Sequence, residues 1–206
     1  MGKVLRLVLI SGFLLGSTGA LMADTRTFTV SATIPPPSGV SITAFSINGT
    51  TNVWTAVAGT ALSFDPLTFN VPNQIYMPDH YFAVNAGPIA GAGSTDVTVS
   101  YTEGANPNTG AGGSGHGLGW KSVATFARVN GTTETNLVAH GPKKLLKDLS
   151  GEHITPAELG TGTFRMYLGI ELNPTATGEP ANAEVFSAAD RVGSYTGSLV
   201  VTATVS

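Results

Sequence analysis

From Ser194 to Val205 the side chains change character at every step. Tyr195, Gly197, Leu199, Val201, Ala203 and Val205 form one set, and Thr196, Ser198, Val200, Thr202 and Thr204 form the other. A period of two puts each set on its own face of an extended strand, which a helix cannot do. The same alternation runs near the start of the chain. Phe28, Val30, Ala32 and Ile34 fall on one face, and Thr27, Thr29, Ser31 and Thr33 on the other. Pro35-Pro36-Pro37 then ends that run, because proline fixes φ and has no N–H to give to a ladder. Backbone groups of an extended strand must find partners, so two such segments demand a sheet.

The intervening sequence supplies more strands. Asn48-Gly49 lies between Val40–Ile47 and Val53–Val57, and Asn130-Gly131 lies between Val123–Val129 and Thr132–Val138. Asn-Gly between β-rich runs signals a tight hairpin. Both Asn-Gly-Thr triplets also match a glycosylation acceptor, and the turn is sufficient to account for them. Leu62–Phe64, Leu67–Val71, His80–Val84, Val97–Tyr101 and Phe164–Leu172 read as further strands. Helical signals are short. Pro142–Leu149 begins with proline and stops near Gly151, and Thr155-Pro156-Ala157-Glu158 has the form of a capping box. The fold expected is all-β: a single antiparallel β-sandwich, immunoglobulin-like or jelly-roll-like, with one or two short helical turns near residues 142–159. The segment Glu103–Gly119, with Gly110-Ala111-Gly112-Gly113-Ser114-Gly115, is expected to be a mobile surface loop.

The first 23 residues read as a secretory signal peptide. Lys3 and Arg6 precede an apolar run from Leu7 to Leu15, and small residues follow to Ala20 and Ala23. Cleavage after Ala20 or Ala23 fits, with Ala23 favoured because Asp24 opens a polar stretch. Residues 24–206 are then the β-sandwich domain, with 24–34 as a candidate exchangeable N-terminal strand. The apolar run is too short for a comfortable bilayer span, so no stable membrane insertion is expected once it is removed. The protein is expected to be secreted or held at the cell surface, reached via the periplasm.

Charge narrows the partners. The net charge is −3, and it becomes more negative when Lys3 and Arg6 leave with the signal. That argues against nucleic acid, which needs clustered basic residues. The chain has no cysteine, so an exported protein that might have used disulfides relies on core packing and sheet hydrogen bonds instead. Charged residues are only 11 % and hydrophobic residues 42 %, a balance that favours packed strands over disorder.

No catalytic or cofactor constellation is legible. His80, His116, His140 and His153 lack metal-ligand spacing, no serine sits in a nucleophile-elbow motif, and the carboxylates are scattered. The reading is therefore of a non-enzyme with no cofactor. Trp54, Tyr76, Tyr81, Phe82 and Trp120 are either a sugar-stacking platform or aromatics of the core and rim.

The opening run Phe28–Pro35 and the closing run Gly193–Val205 resemble the ends of bacterial surface sandwich proteins of the spore-coat-U and fimbrial-subunit type. The resemblance implies periplasmic passage, a sandwich fold and assembly into surface fibres or coats. The two runs are in any case strands that require a mate, and an unpaired edge is a template for another chain. The function expected is that of a structural subunit of a bacterial extracellular fibre, pilus or surface coat. Self-association into a homopolymer, or with other surface subunits, would proceed through a subunit-pairing strand of Phe28, Val30, Ala32 and Ile34, with Tyr195, Leu199, Val201, Ala203 and Val205 forming the C-terminal strand. The alternative is an exported monomeric binding module for carbohydrate or another cell-surface ligand, in which residues 27–34 pair inside their own domain beside Ser194–Val205.

Overall fold

A computed structural model describes residues 27–33, 40–88, 95–129, 137–160 and 162–205. The signal segment, Ile34, the prolines after it and the Asn130-Gly131 turn lie outside the described residues. The described residues form two facing sheets and a separate hairpin. The five-stranded sheet has the order β11 (Ser150–Ile154), β8 (Thr95–Glu103), β13 (Ser194–Val205), β1 (Thr27–Thr33), β4 (Ala61–Ser63). The six-stranded sheet has the order β10 (Leu137–Leu145), β9 (Ser122–Val129), β12 (Thr163–Ile170), β7 (His80–Pro88), β2 (Val40–Asn48), β3 (Trp54–Ala56). The hairpin joins β5 (Leu67–Asn70) to β6 (Ile75–Pro78). The fold is thus all-β and sandwich-like.

The alternation read from the sequence is what fills the space between the sheets. Val97 and Val99 of β8 and Tyr195, Leu199, Val201 and Ala203 of β13 meet Phe82, Val84, Phe126, Phe164, Met166 and Leu168 of the other sheet in one buried cluster. Each large side chain removed from water there contributes about 1.5–3 kcal/mol. The Phe126 and Phe164 rings stack across β9 and β12 with centroids 5.9 Å apart.

Four features differ from the sequence reading. First, the pairing is not all antiparallel: β1 runs parallel to β13 over seven residue pairs. β1 and β13 have the whole of the described fold between them in sequence, so no tight turn forces them antiparallel. Second, residues 142–145 are strand, not helix. The β10–β9 register shifts between His140 and Lys144, where Gly141 takes φ +69°. The bulge accommodates Pro142, and only Leu146–Asp148 winds into a 3-10 turn. Third, β6 and β11 had no legible alternation. Fourth, the Asn48-Gly49 hairpin is longer than two residues. Asn48 Oδ1 accepts from the backbone N–H of Thr50 (3.0 Å) and Thr51 (2.8 Å), and the positive φ falls on Asn52. The asparagine side chain organises the turn here, in place of a two-residue type I′ bend.

Two short helices complete the structure, α1 (Leu118–Lys121) and α2 (Pro156–Leu159). The capping box of α2 is present as read. Glu158 N–H donates to Thr155 Oγ1 at 3.4 Å, and Thr155 N–H donates to Glu158 Oε2 at 2.7 Å. These bonds from Thr155 hold the Glu158 carboxyl below its ordinary pKa. Replacing Thr155 with Ala is expected to cost about 1 kcal/mol, as measured by chemical denaturation. An unchanged midpoint would show that this cap contributes nothing.

Candidate functional site

The strands singled out by sequence come together in one slot. β1 lies between β13 and β4, with Phe28 opposite Tyr195, Val30 opposite Gly197 and Ala32 opposite Leu199. Val30 is fully buried, as are Tyr195, Leu199, Val201 and Ala203. Val205 pairs with Thr95 of β8. On its other edge β1 meets only three residues of β4, at Thr29, Val30 and Ser31. β13 therefore has partners on both sides, β8 and β1, and β1 is the filler between β13 and the short β4. In this single chain the first strand finds its mate beside Ser194–Val205.

At the Ser194 end of that slot, the glycine-rich segment is stitched down rather than left mobile. Arg191 donates from Nη1 to Thr109 O (2.8 Å) and from Nη2 to Ala111 O. Asn108, only 2 % exposed, uses every hydrogen-bonding atom of its amide. Its Oδ1 accepts from Arg191 N–H (2.9 Å) and Tyr195 Oη (2.9 Å). Its Nδ2 donates to His116 O (2.8 Å) and Asp190 Oδ1 (2.7 Å). Gly113 closes the loop tightly: a Cβ there would stand 1.9 Å from Asn108 O.

Lys121, at the end of α1, points into the same cluster and is 4 % exposed. Its Nζ lies 3.1 Å from Asp190 Oδ1, 3.1 Å from Glu184 Oε2 and 2.9 Å from Val185 O. Glu184 Oε1 in turn lies 2.6 Å from His116 Nδ1, and the His116 ring stacks on Trp120 at 3.8 Å. Burying a lysine is costly unless it is paired, and this one is held by two carboxylates and donates to Glu184 Oε2 and Val185 O. None of Asn108, Lys121, Asp190 or Arg191 stood out in the sequence.

Two carboxyls, Glu171 and Glu179, tie β12 to the segment after it. Glu171, 3 % exposed, accepts from Asn173 N–H at 2.7 Å, and Glu179 accepts from Lys143 Nζ at 2.5 Å. Their remaining oxygens, Glu171 Oε2 and Glu179 Oε2, are buried with no other partner. Burial, and then Glu179, pushes the Glu171 carboxyl up. Burial also acts on Glu179, but hydrogen bonds from Lys143 and Glu171 outweigh it and bring that carboxyl down. Of the two, Glu171 is therefore the carboxyl that holds its proton to higher pH. A carboxyl raised on folding contributes stability at low pH and loses it as pH rises through the raised value. Glu171→Gln keeps a donor without a titrating proton. It is expected to flatten the loss of thermal midpoint as pH rises above the ordinary carboxyl value, and parallel wild-type and variant curves would refute the raised carboxyl.

The aromatics divide between sites. Phe82 is in the core, Tyr76 packs on Phe69 in the hairpin at 4.8 Å, and Trp120 lies under His116 and the Lys147 ammonium. Trp54 and Tyr81 fall on the side of the six-stranded sheet opposite the core, where a continuous row forms. Phe45 meets Trp54 at 5.6 Å, the Arg165 guanidinium lies 4.8 Å from the Trp54 ring and 5.9 Å from Tyr167, and Tyr167 meets Tyr81 at 6.2 Å.

No family model, no curated protein and no solved structure matches this chain. Among the described residues no group of three or more His, Asp or Glu side chains is placed to hold a metal ion. No helix among them is long and apolar enough to cross a membrane.

Proposed function

We propose that this protein is an exported structural subunit of a bacterial surface fibre, pilus or coat, and that copies join by lending β1 to one another. The observation that carries this reading is the position of β1. It fills the place between β13 and a three-residue neighbour, and it is tied to the described fold at its C-terminal end through residues 34–39. Moving it to another copy changes the course of one connection and leaves every ladder bond reproducible. This is the low-cost exchange of an identical element between protomers. The Pro35-Pro36-Pro37 run suits such a link, since prolines extend a chain and resist collapse back onto the sheet. Negative-stain microscopy and sedimentation of the exported protein test the proposal: filaments or a concentration-dependent ladder of sizes are expected. A single species at monomer mass across a wide concentration range would contradict it.

A second reading rests on the aromatic row. Phe45, Trp54, Tyr81 and Tyr167 with Arg165 form the kind of surface on which sugar rings stack, as a binding module would require. Loss of glycan-array binding in Trp54→Ala, with the oligomer distribution unchanged, would favour it.

A further inference from the structure

We propose that Lys121 and Asn108 become joined by an intramolecular amide bond, formed by the chain itself with Asp190 moving the protons. Three kinds of group must converge for an amine to displace ammonia from a side-chain amide: a nucleophile, a proton carrier and donors for the carbonyl oxygen. All three are present in the cluster beneath the glycine-rich segment. The nucleophile is Lys121 Nζ. The carrier is Asp190, whose Oδ1 lies 3.1 Å from Lys121 Nζ and 2.7 Å from Asn108 Nδ2. A single carboxylate oxygen therefore touches both the attacking and the leaving nitrogen. Arg191 N–H donates to Asn108 Oδ1 at 2.9 Å, and Tyr195 Oη, 2.9 Å from that oxygen and 2.7 Å from Arg191 O, divides its one proton between the two. Both donors draw charge from the carbonyl carbon and would hold the oxyanion of a tetrahedral intermediate.

The setting favours the reaction over a solvated ion pair. Asn108, Lys121 and Asp190 are 2 %, 4 % and 7 % exposed. The buried rings of Phe186 and Tyr195 meet edge-on at 4.9 Å, and Lys121 Nζ lies 5.4 Å from the Phe186 centroid. Excluding water strengthens every charge interaction in the site and removes the competing nucleophile. The balance is as follows. Asp190 takes one proton from the Lys121 ammonium, and the free amine leaves Val185 O and attacks Asn108 Cγ. The new C–N bond forms, the Cγ–Nδ2 bond breaks, and Asp190 returns its proton to the leaving nitrogen while taking a second from Nζ. Two of the three ammonium protons end on the leaving nitrogen, which departs as ammonium. The third stays on the new amide, and Asp190 is again a carboxylate. No oxidant or cofactor is needed. Glu184, released from the lysine, retains His116 at 2.6 Å. In a chain without cysteine, this bond is a covalent tie that a disulfide cannot supply.

Mass spectrometry decides the question. The purified wild-type chain, with its N-terminus assigned from the N-terminal peptide and its folding checked by circular dichroism, is expected to weigh one ammonia less than its sequence. A digest is expected to yield a branched peptide linking Lys121 to Asn108. Asp190→Asn and Lys121→Arg are expected to restore the full mass. A folded wild-type chain at full sequence mass overturns the proposal, whether or not the variants fold. Loss of one water would overturn the assignment to Asn108, because it would place the bond on a carboxyl group.

Discussion

Deleting Thr27–Thr33 is expected to leave a chain that does not hold its fold, and supplying the same residues as a separate peptide is expected to restore it. Without β1, β13 loses a seven-residue parallel partner and β4 loses the strand that joins it to the sheet. Val30 leaves a fully buried position, which alone forfeits about 1.5–3 kcal/mol of transfer free energy. The ladder hydrogen bonds add about 0.5–1.5 kcal/mol each. Together these approach the whole stability of an ordinary domain, about 5–15 kcal/mol. The vacant place has a defined register, so a peptide of that sequence should raise the thermal midpoint progressively with its concentration, as any ligand of the folded state does. A peptide of the same composition with its alternation scrambled should not, since shifting the period turns apolar side chains to the wrong face. If the shortened chain melts as the parent does, or ignores the peptide, β1 is not the separable part described here.

The second large effect is expected at Gly197. An added Cβ would stand 2.2 Å from Tyr101 Oη and 2.3 Å from Tyr101 Cε2, because the tyrosine lies across this glycine from the adjacent strand. Atoms cannot share that space, so even Ala forces the ring away. Overpacking of a settled core costs about 1–3 kcal/mol, and Val at this position should exceed Ala. The displacement would also travel. Tyr101 Oη donates to Glu103 Oε1 at 3.2 Å, and the same carboxylate accepts from Leu118 N–H and Gly119 N–H at 2.8 Å each. Moving the ring therefore loosens the hold on α1, which carries Lys121. For a chain of this size each kcal/mol lowers the melting temperature by about 2–4 °C. Combining Gly197→Ala with Tyr101→Ala should recover part of the loss, since the two side chains share one space. Full additivity would mean that they do not collide.

The parts of this structure that were legible in the sequence are those whose signal is local. β13 and β1 announce themselves by alternation, and α2 by its cap. β11 does not, because Ser150-Gly151-Glu152-His153-Ile154 lies at a sheet edge and buries only Ile154. Pro142 signals a helix start in isolation, yet a bulge at Gly141 fits it into β10. Tertiary structure, which no local pattern encodes, settles that position. The glycine-rich segment reads as mobile because glycine carries no side chain to pack. The groups that fix it, Arg191 and Asp190, lie 82 residues further along the chain from Thr109 and Asn108. The Lys121 cluster is illegible for the same reason: it exists only once α1, the glycine-rich segment and the approach to β13 have converged. The proposed exchange of β1 between copies would be visible in sequence only as a patterned strand followed by prolines. Its pairing inside one chain was one of two outcomes that this pattern allowed.

Whether β1 reaches another copy can be read directly, because the chain has no cysteine to confuse the result. Ser31 of β1 stands opposite Ser198 of β13. Two variants, Ser31→Cys and Ser198→Cys, are purified separately, mixed under assembly conditions and oxidised. Strand lending between subunits predicts a disulfide that joins one variant to the other, resolved as a covalent dimer on a non-reducing gel. In the doubly substituted chain it predicts a ladder of higher species. If the mixed single variants stay unlinked while the doubly substituted chain closes only on itself, β1 belongs permanently to its own subunit and the assembly described here does not occur.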